Sequence, residues 1–301
     1  MTTPPSPIVR RRRLGMELRD LREQAELTIE QVAGLLRWSS SKVSRIETGR
    51  ITVSSEDVQR MLDIYGVRDK PKDALVKIAR EAKAKAWWQR YRHQDIRPLI
   101  GFESAAASIR TFEAQAVPGL LQTEAYARAV LRASHPELPS KEIDRRVDLR
   151  MARQTHLFTV SEPPRLWAIL DEPIVHRPVG GLQVMRMQLE ELIRAAESPV
   201  ITIQVLPLSS GEHAGMDGSF SIHSFSDSAD PTVVYVGNAA KDDYLDEKIA
   251  IARYELIFDH LQAAALKPTD SIDFLATVAK AYADGDSAES GIRSPGLPRS
   301  T

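Results

Sequence analysis

The sequence contains no cysteine, and this absence excludes disulfide bonds, thiolate metal ligands and thiol nucleophiles together. It contains no run of about 18 uncharged apolar residues, so no segment is expected to cross a membrane. Residues 1–13 combine prolines with four arginines, and no apolar stretch of the kind that a secretory signal needs follows them. We therefore expect a cytoplasmic protein without a membrane partner.

The net charge is close to zero, but the charges are unevenly distributed. The 301 residues carry a net charge of −1. Residues 1–92 hold 20 lysines and arginines against 12 acids, and the remainder holds 20 against 29. At roughly 150 residues per domain, this length suggests two domains. The asymmetry favours a basic module that binds a polyanion such as nucleic acid, joined to an acidic module with another task.

The first part of the chain has the apolar spacing of short amphipathic helices. Leu14, Leu18 and Leu21 recur on one helical face. Thr28 and Gln31 have the spacing of a capping box, and serines and glycines mark the later helix ends. Five helices are predicted: one from Leu14 to near Glu26, one capped by Thr28, one capped by Ser39 and stopped by Gly49, one capped by Ser54 or Ser55 and stopped by Gly66, and one from Asp69 to about Trp88.

The second part of the chain mixes helical and strand patterns. Helices are predicted at 123–133, 139–157, 181–196, 243–265 and 270–283, and strands at 165–170, 200–206, 219–225 and 232–236. The fold class is therefore an N-terminal all-α five-helix domain plus a C-terminal α+β domain. The predicted boundaries are a disordered basic arm at 1–13, a helix-turn-helix domain at 14–70, a connecting helix at 71–92, an α+β regulatory and dimerisation domain at 93–284 and a disordered tail at 285–301.

Two short helices, a tight turn and a serine at the start of the second helix are typical of a helix-turn-helix. Residues 23–28 read Glu-Gln-Ala-Glu-Leu-Thr, and residues 38–50 read Trp-Ser-Ser-Ser-Lys-Val-Ser-Arg-Ile-Glu-Thr-Gly-Arg. With these motifs the segment from Leu14 to Gly66 resembles the Cro/C1-type (XRE) family. The resemblance implies a transcription regulator that binds double-stranded DNA.

The resemblance also implies the roles of individual residues. Base edges would be read by Ser40, Ser41, Ser44 and Arg45, with Arg45 as the principal reader because arginine can grip guanine with two hydrogen bonds. Phosphates would be held by Lys42, Arg50 and the backbone amides around Thr48 and Gly49. Glu47 would form a buried ion pair with Arg22. The residues Arg10, Arg11, Arg12 and Arg13 would contact phosphates or enter a minor groove, or else form a solvated tail.

Two positions depart from the family pattern. Ile29 stands where the family usually has a phosphate-binding glutamine, and Arg37 stands where a glycine is common. Arg37 must either accept a left-handed backbone conformation, at a cost of roughly 1 kcal/mol, or use a different turn. The Arg37 side chain could then replace the missing phosphate contact.

The C-terminal part contains four further motifs: 117–123 with 125–127, 150–154, 211–220 and 233–236. With them this part resembles the C-terminal domain of actinobacterial WhiJ-like or Scr1-type antitoxin-like regulators. The acid that usually follows the last motif is replaced by Gly237-Asn238. The resemblance implies regulation, often together with a small protein encoded nearby, and supplies no established chemistry.

Few residues of the second part suggest a site. Arg150, Arg153 and Gln154 share one helical face and could converge on an anion or a partner carboxylate, although an exposed basic face is the simpler interpretation. His213 stands between Glu212 and Asp217, but the spacing matches no zinc signature, and a hydrogen-bonded histidine in a turn is favoured. We therefore predict no enzyme activity, no cofactor and no metal.

The function expected from these observations is a homodimeric, sequence-specific DNA-binding regulator, predicted to be a repressor. Its C-terminal domain would respond to a small-molecule effector or a small protein. One alternative is an antitoxin-like protein that sequesters a small partner protein and regulates its own operon. Another is an enzyme with a DNA-binding appendage, which would need a polar pocket around His213.

Overall fold

The computed structural model describes residues 6–84, 86–90, 97–237 and 242–283. These residues fall into two compact units. Unit 1 draws on Met1–Ala107 and on the separate segment Ser224–Val233, and unit 2 draws on Ser108–His223 and Val234–Thr301. The DNA-binding unit suggested by the sequence therefore includes a segment from far along the chain, which the predicted boundaries did not include.

Unit 1 is built from helices packed around one apolar core. The helices are α1 (Pro7–Gln24), α2 (Ile29–Leu36), α3 (Ser40–Glu47), α4 (Ser55–Ile64), α5 (Asp69–Glu81) and α6 (Arg97–Glu103), with a 3₁₀ turn at Trp87–Arg90 between the last two. The core of α1–α5 includes Leu18, Val32, Val43, Val58 and Leu62, whose side chains are completely buried. The predicted five-helix domain is confirmed.

The helix starts follow from local hydrogen bonding. The Thr28 hydroxyl accepts from the Gln31 amide while the Gln31 side chain accepts from the Thr28 amide, which is a complete capping box. The hydroxyl of Ser39 accepts from the Lys42 amide at the start of α3, and Ser54 caps α4 in the same way. The local sequence therefore fixes the residue at which each of these short helices begins.

Two predicted ends are wrong. Helix α1 begins at Pro7 and includes all four arginines, so the disordered arm is wrong for residues 7–13. Proline suits this position because a helix leaves its first amides unpaired in any case. Helix α5 ends at Glu81 instead of Trp88. Residues 1–5, 91–92 and the predicted tail at 285–301 lie outside the described residues.

Unit 2 contains a mixed sheet with helices. The strands are β1 (Ala106–Glu113), β2 (Arg165–Asp171), β3 (Ile201–Leu206), β4 (Phe220–Phe225), β5 (Val233–Val236) and β6 (Asp243–Leu245), in the order β3-β2-β1-β4-β5-β6. The helices are α7 (Glu124–Ser134), α8 (Ser140–Phe158), α9 (Pro173–His176), α10 (Leu182–Ala195), α11 (Lys248–Ala264) and α12 (Pro268–Ala283). Strands β1, β2 and β3 are parallel and β5 and β6 are antiparallel. The α+β class is confirmed, whereas β1, β6, α6 and α9 were not predicted.

The two faces of this sheet differ because successive side chains alternate. Phe112, Phe220 and Ile222 lie on one face, in an apolar core with Phe258 and Leu261 of α11. The residues that alternate with them on β1 and β4 are polar: Thr111, Glu113, Ser221 and His223. A sheet face that carries buried polar groups needs internal partners for them.

Candidate nucleic-acid interface

The turn between α2 and α3 has the tight geometry of a helix-turn-helix. Arg37 has φ 56° and ψ 43°, in the left-handed region. The amide of Trp38 then donates to the carbonyl of Ala33 at 2.8 Å, which closes the end of α2. The sequence left open whether Arg37 adopts the left-handed conformation or the turn is of another kind. The structure shows the left-handed conformation, which is strained for a residue other than glycine. Its cost is roughly 1 kcal/mol.

Arg37→Gly is therefore expected to raise the free energy of unfolding of unit 1 by about 1 kcal/mol, because glycine adopts this conformation without a Cβ clash. The measurement is urea unfolding of the full chain, with hydrogen exchange of the amides in α2 and α3 as the readout for unit 1. Arg37→Ala is the matched control, since it removes the same side chain and keeps the strain. Equal stabilities of the two variants would contradict this account.

The first turn of α3 is accessible within unit 1. Val43 and Ile46 bury the inner face of the helix, and Ser41 and Arg45 are exposed on the outer face. Arg45 Nε donates to the Ser41 carbonyl oxygen at 3.3 Å, so the guanidinium lies along the outer face of the helix. Ser40 and Ser44 are half-buried beside it. The predicted base-reading residues thus share one surface, on which Ser41 and Arg45 are the exposed members.

The side chains predicted to contact phosphates differ in their exposure and in their contacts within the protein. Arg37 and Arg50 are exposed and flank α3 at its two ends. Lys42 is already engaged, because its Nζ lies 3.4 Å from Asp57 Oδ2 and 3.4 Å from the centroid of the Trp38 ring. Arg60, which the sequence did not suggest, is at 5.7 Å from the same ring.

The predicted amide contacts at Thr48 and Gly49 stay a prediction, and both amides have acceptors within the protein. The Thr48 amide donates to the Ser44 carbonyl and the Gly49 amide to the Ile46 carbonyl, each at 2.9 Å. Both donors are therefore used inside the helix end. The Thr48 hydroxyl also donates to the Ser44 carbonyl, at 2.8 Å. Gly49 is needed here for its left-handed backbone, at φ 63°.

Arg22 and Glu47 form a two-point ion pair beneath α3. Arg22 Nε lies 2.8 Å from Glu47 Oε1, and Arg22 Nη2 lies 3.0 Å from Glu47 Oε2. A third donor, Arg22 Nη1, reaches the Leu27 carbonyl at 2.8 Å. Both residues are buried, at 8% and 6% exposure. The pair ties α1 to the end of α3, and the hydrogen bonds to Glu47 raise the pKa of Arg22.

The four arginines at the start of α1 do not form an arm. Arg10 Nη1 lies 2.9 Å from Asp230 Oδ1, and Arg13 Nη1 lies 2.6 Å from Asp227 Oδ2. The guanidinium of Arg12 lies 5.3 Å from the centroid of the Phe102 ring. Burial and the neighbouring Arg12 lower the pKa of Arg11. The alternative of a solvated tail is wrong because internal partners occupy or cover these side chains, and the phosphate role of Arg10, Arg11, Arg12 and Arg13 stays a prediction.

The candidate residues of unit 2 hold a turn in place. Arg150 Nη1 donates to Gln122 Oε1 at 2.5 Å, and Gln154 Nε2 donates to the carbonyls of Gly119 and Gln122 at 2.9 and 2.8 Å. Arg153 is buried on the same helix. These residues support the 117–123 segment of the chain and do not form an exposed basic face.

His213 lies in a different place from the α8 residues. Its ring is 5.7 Å from that of Phe112, and its Nδ1 accepts from the Gly215 amide at 3.2 Å. It is the hydrogen-bonded turn histidine that the sequence favoured. Among the described residues no group of three or more histidines and acids could hold a metal ion.

Sequence reasoning missed Glu113, at the carboxyl end of β1. Thr111 Oγ1 lies 3.0 Å from its Oε1, and burial raises the pKa of Glu113 to about 7. On the neighbouring strand, burial and the nearby Arg153 lower the pKa of His223 to about 3, and its Nε2 is 2.9 Å from Ser221 Oγ. Both groups are therefore held mainly in neutral forms near pH 6, which fits a buried polar face.

A helix with an exposed outer face, a tight capped turn before it and a buried ion pair behind it are the features of a helix-turn-helix, the fold of a class of DNA-binding regulators. A family model described as "Helix-turn-helix domain" matches residues 13–75. The chain belongs to the family described as "Domain of unknown function (DUF5753)", whose model matches residues 96–277, more than half of the chain. No curated protein and no solved structure matches the chain. In the described part of the chain, no helix has the length and apolar character to span a membrane.

Proposed function

We propose that the protein is a sequence-specific transcription regulator of the Cro/C1 (XRE) type, that it acts as a repressor, and that its C-terminal domain controls it. The observation that carries the proposal is the exposed outer face of α3, where Arg45 and Ser41 stand next to each other at the first turns of a capped helix. Residues at this end of the second helix contact base edges in helix-turn-helix proteins.

The proposal includes a homodimer, because one recognition helix buries too little surface for useful specificity and two copies on half-sites solve this. It includes no enzyme activity. Arg150, Gln154 and His213 each bond to the chain's own turns, which supports structural roles for them. The resemblance to WhiJ-like and Scr1-type regulators supports a C-terminal control function.

The test begins with selection of bound duplexes from a random-sequence DNA library by the full-length protein. A regulator of this kind enriches one sequence, with two half-sites about one helical turn apart. Enrichment of no sequence would refute the proposal. Co-purification of a small acidic protein with little DNA selectivity would favour the antitoxin-like alternative instead.

Arg45→Ala is expected to weaken binding to the selected duplex about tenfold and to relax specificity at one base position, because one bidentate base contact is lost. Arg50→Ala should weaken binding to selected and random duplexes alike and reduce the salt dependence. Fluorescence anisotropy titrations at several salt concentrations measure both. Arg19→Ala is the control, since Arg19 pairs with Glu23 on the exposed side of α1. Equal losses for Arg45→Ala on both duplexes would rule out base reading by this residue.

A further inference from the structure

An acidic clamp holds the first two turns of α1 inside unit 1; we use this name for Glu81, Asp227 and Asp230. Arg10 contacts all three acids, with Nε 3.2 Å from Glu81 and Nη1 2.9 Å from Asp230. Arg13 Nη1 lies 2.6 Å from Asp227 and 3.5 Å from Asp230. Two guanidinium groups and three carboxylates thus form one network.

The centre of the network is shielded from water and its edge is not. The side chains of Asp230, Arg10 and Arg13 are only 7%, 14% and 17% exposed, whereas those of Glu81 and Asp227 are 31% and 44% exposed. Ion pairs on an open surface contribute little, whereas partly buried networks with several contacts are screened less and hold their geometry better. The clamp therefore restrains α1 more firmly than the exposed Arg19–Glu23 pair further along the same helix.

The clamped part of α1 also touches the end of the recognition helix. A Cβ placed on Gly15 would lie 2.5 Å from the Glu47 carbonyl oxygen and 2.6 Å from that of Ile46. A Cβ placed on Gly49 would lie 2.9 Å from Arg12 Cα. The backbones of α1 and of the α3 exit are therefore in direct contact. Close-packed contacts of this kind transmit a displacement, because they leave no free volume to absorb it.

These two sets of contacts share residues 10–15, which form about one and a half turns of a continuous helix. The acids are held on one side of this short segment and the end of α3 on the other. Two of the clamp acids, Asp227 and Asp230, belong to the segment Ser224–Val233 of unit 1. That segment lies within residues 96–277, which the model of the domain of unknown function covers.

We propose that Asp227 and Asp230 are positioning residues for DNA recognition: through Arg10 and Arg13 they fix α1, and α1 fixes the end of the recognition helix. This inference rests on the proposed function and adds to it a role for the domain of unknown function, which supplies the segment that carries both acids. Binding of a ligand or partner that moves residues 224–233 would then change DNA affinity without touching the recognition helix.

The decisive test is Asp230→Asn in the full-length protein, measured on the selected duplex and on a random duplex of equal length. Electrostatics alone predicts tighter binding to both, because the protein loses one negative charge. Mispositioning of α3 predicts weaker binding to the selected duplex only. We expect the ratio of the two affinities to fall about tenfold. Asp20→Asn is the matched control, since it makes the same charge change at an exposed residue of α1.

Two further measurements separate positioning from loss of fold. Asp227→Asn and Arg13→Gln are each expected to lower the affinity ratio, and their combination should cost less than the sum of the two single changes because both remove the same ion pair. Hydrogen exchange in residues 46–50 should accelerate in Asp230→Asn while that in α4 stays unchanged. An affinity ratio equal to that of Asp20→Asn, or fully additive losses in the double variant, overturns the inference. Because the exchange readout needs no DNA, it decides the clamp's role even if the library yields no selected sequence.

Discussion

Glu47→Leu is expected to lower the free energy of unfolding of unit 1 by about 3–5 kcal/mol, the usual cost of removing one partner of a buried ion pair. The reason lies in Arg22, which keeps Nε and Nη2 aimed at the vacated position, 2.8 and 3.0 Å from where the carboxylate stood. A guanidinium cannot lose its proton in a protein, so the buried charge persists in the variant. Against a total of about 5–15 kcal/mol for a domain, the loss is severe.

Arg22→Met should behave differently, and the difference makes the test specific. A stranded carboxylate can take up a proton and lose its charge, so this variant should recover stability as the pH falls, whereas Glu47→Leu should not. The double variant, Arg22→Met with Glu47→Leu, should be more stable than either single variant because no buried charge remains.

Hydrogen exchange of peptides from α1 and α3 reports unfolding of unit 1 separately from unit 2, which matters because a two-unit chain need not unfold in one step. If the double variant is as unstable as Glu47→Leu, the cost comes from lost packing and not from the charge. A loss below about 1 kcal/mol in Glu47→Leu would show that water reaches Arg22.

The helix-turn-helix could be predicted because its signals are local. The capping pairs lie three residues apart, and Gly49 and Gly66 both adopt the left-handed backbone that stops a helix. The Arg22–Glu47 pair came from a family resemblance, since nothing in the spacing of these two residues requires them to meet. Local chemistry also explains the partners of the Thr48 and Gly49 amides: amides at a helix end are used by the helix itself.

The arginines at the start of α1 could not be placed because their partners are remote. Arg10 and Asp230 are 220 residues apart in sequence, and a basic run beside a helix-turn-helix reads naturally as a DNA-binding arm. A hint was present in the prolines, since Pro7 suits the first turn of a helix.

Strand β1 was missed for a different reason. Its large apolar residues, Ile109 and Phe112, stand three apart and therefore lack the alternation that marks a strand. The polar residues between and after them, Thr111 and Glu113, point to the buried polar face of the sheet, so burial does not follow hydrophobicity here. Without the strand, nothing in the sequence marked Glu113 as a buried acid.

Glu113→Gln is expected to stabilise unit 2 by about 1–3 kcal/mol at pH 8 and to have little effect near pH 4. The pKa of Glu113 is about 7 in the folded protein, raised by burial from the ordinary value of 4.5. Between those two values the folded state binds more protons than the unfolded state, so stability falls as the pH rises from about 4.5 through 7 and then levels off. The full shift corresponds to about 3 kcal/mol, and partial exposure of the residue reduces it.

Hydrogen bonds from Thr111 and Ser219 favour the carboxylate form of Glu113, but burial outweighs them, and the same positions also accept a protonated carboxyl. Thr111 Oγ1 lies 3.1 Å from the Phe220 carbonyl oxygen, which can only accept, and 3.0 Å from Glu113 Oε1. A hydroxyl has one proton, so when Thr111 donates it to Phe220, the proton between Thr111 and Glu113 must come from Glu113. Glutamine keeps a donor and an acceptor at this place without a charge, which is why it should relieve the penalty instead of adding one.

The contribution of His223 to the stability of unit 2 has the opposite pH dependence. The shape of the stability profile against pH therefore separates the two residues. The pKa of His223 is about 3 in the folded protein, lowered by burial from 6.5, so stability rises with pH between those values. The native chain should therefore be most stable in a window between about pH 4.5 and 6.5, where the two opposite slopes cancel, while Glu113→Gln should rise to a plateau and stay there. Urea unfolding of unit 2 from pH 4 to 8 measures this, with Glu212→Gln as the control at an exposed acid. A parallel pH profile for Glu113→Gln and the native protein would show that Glu113 is charged in the folded state at neutral pH.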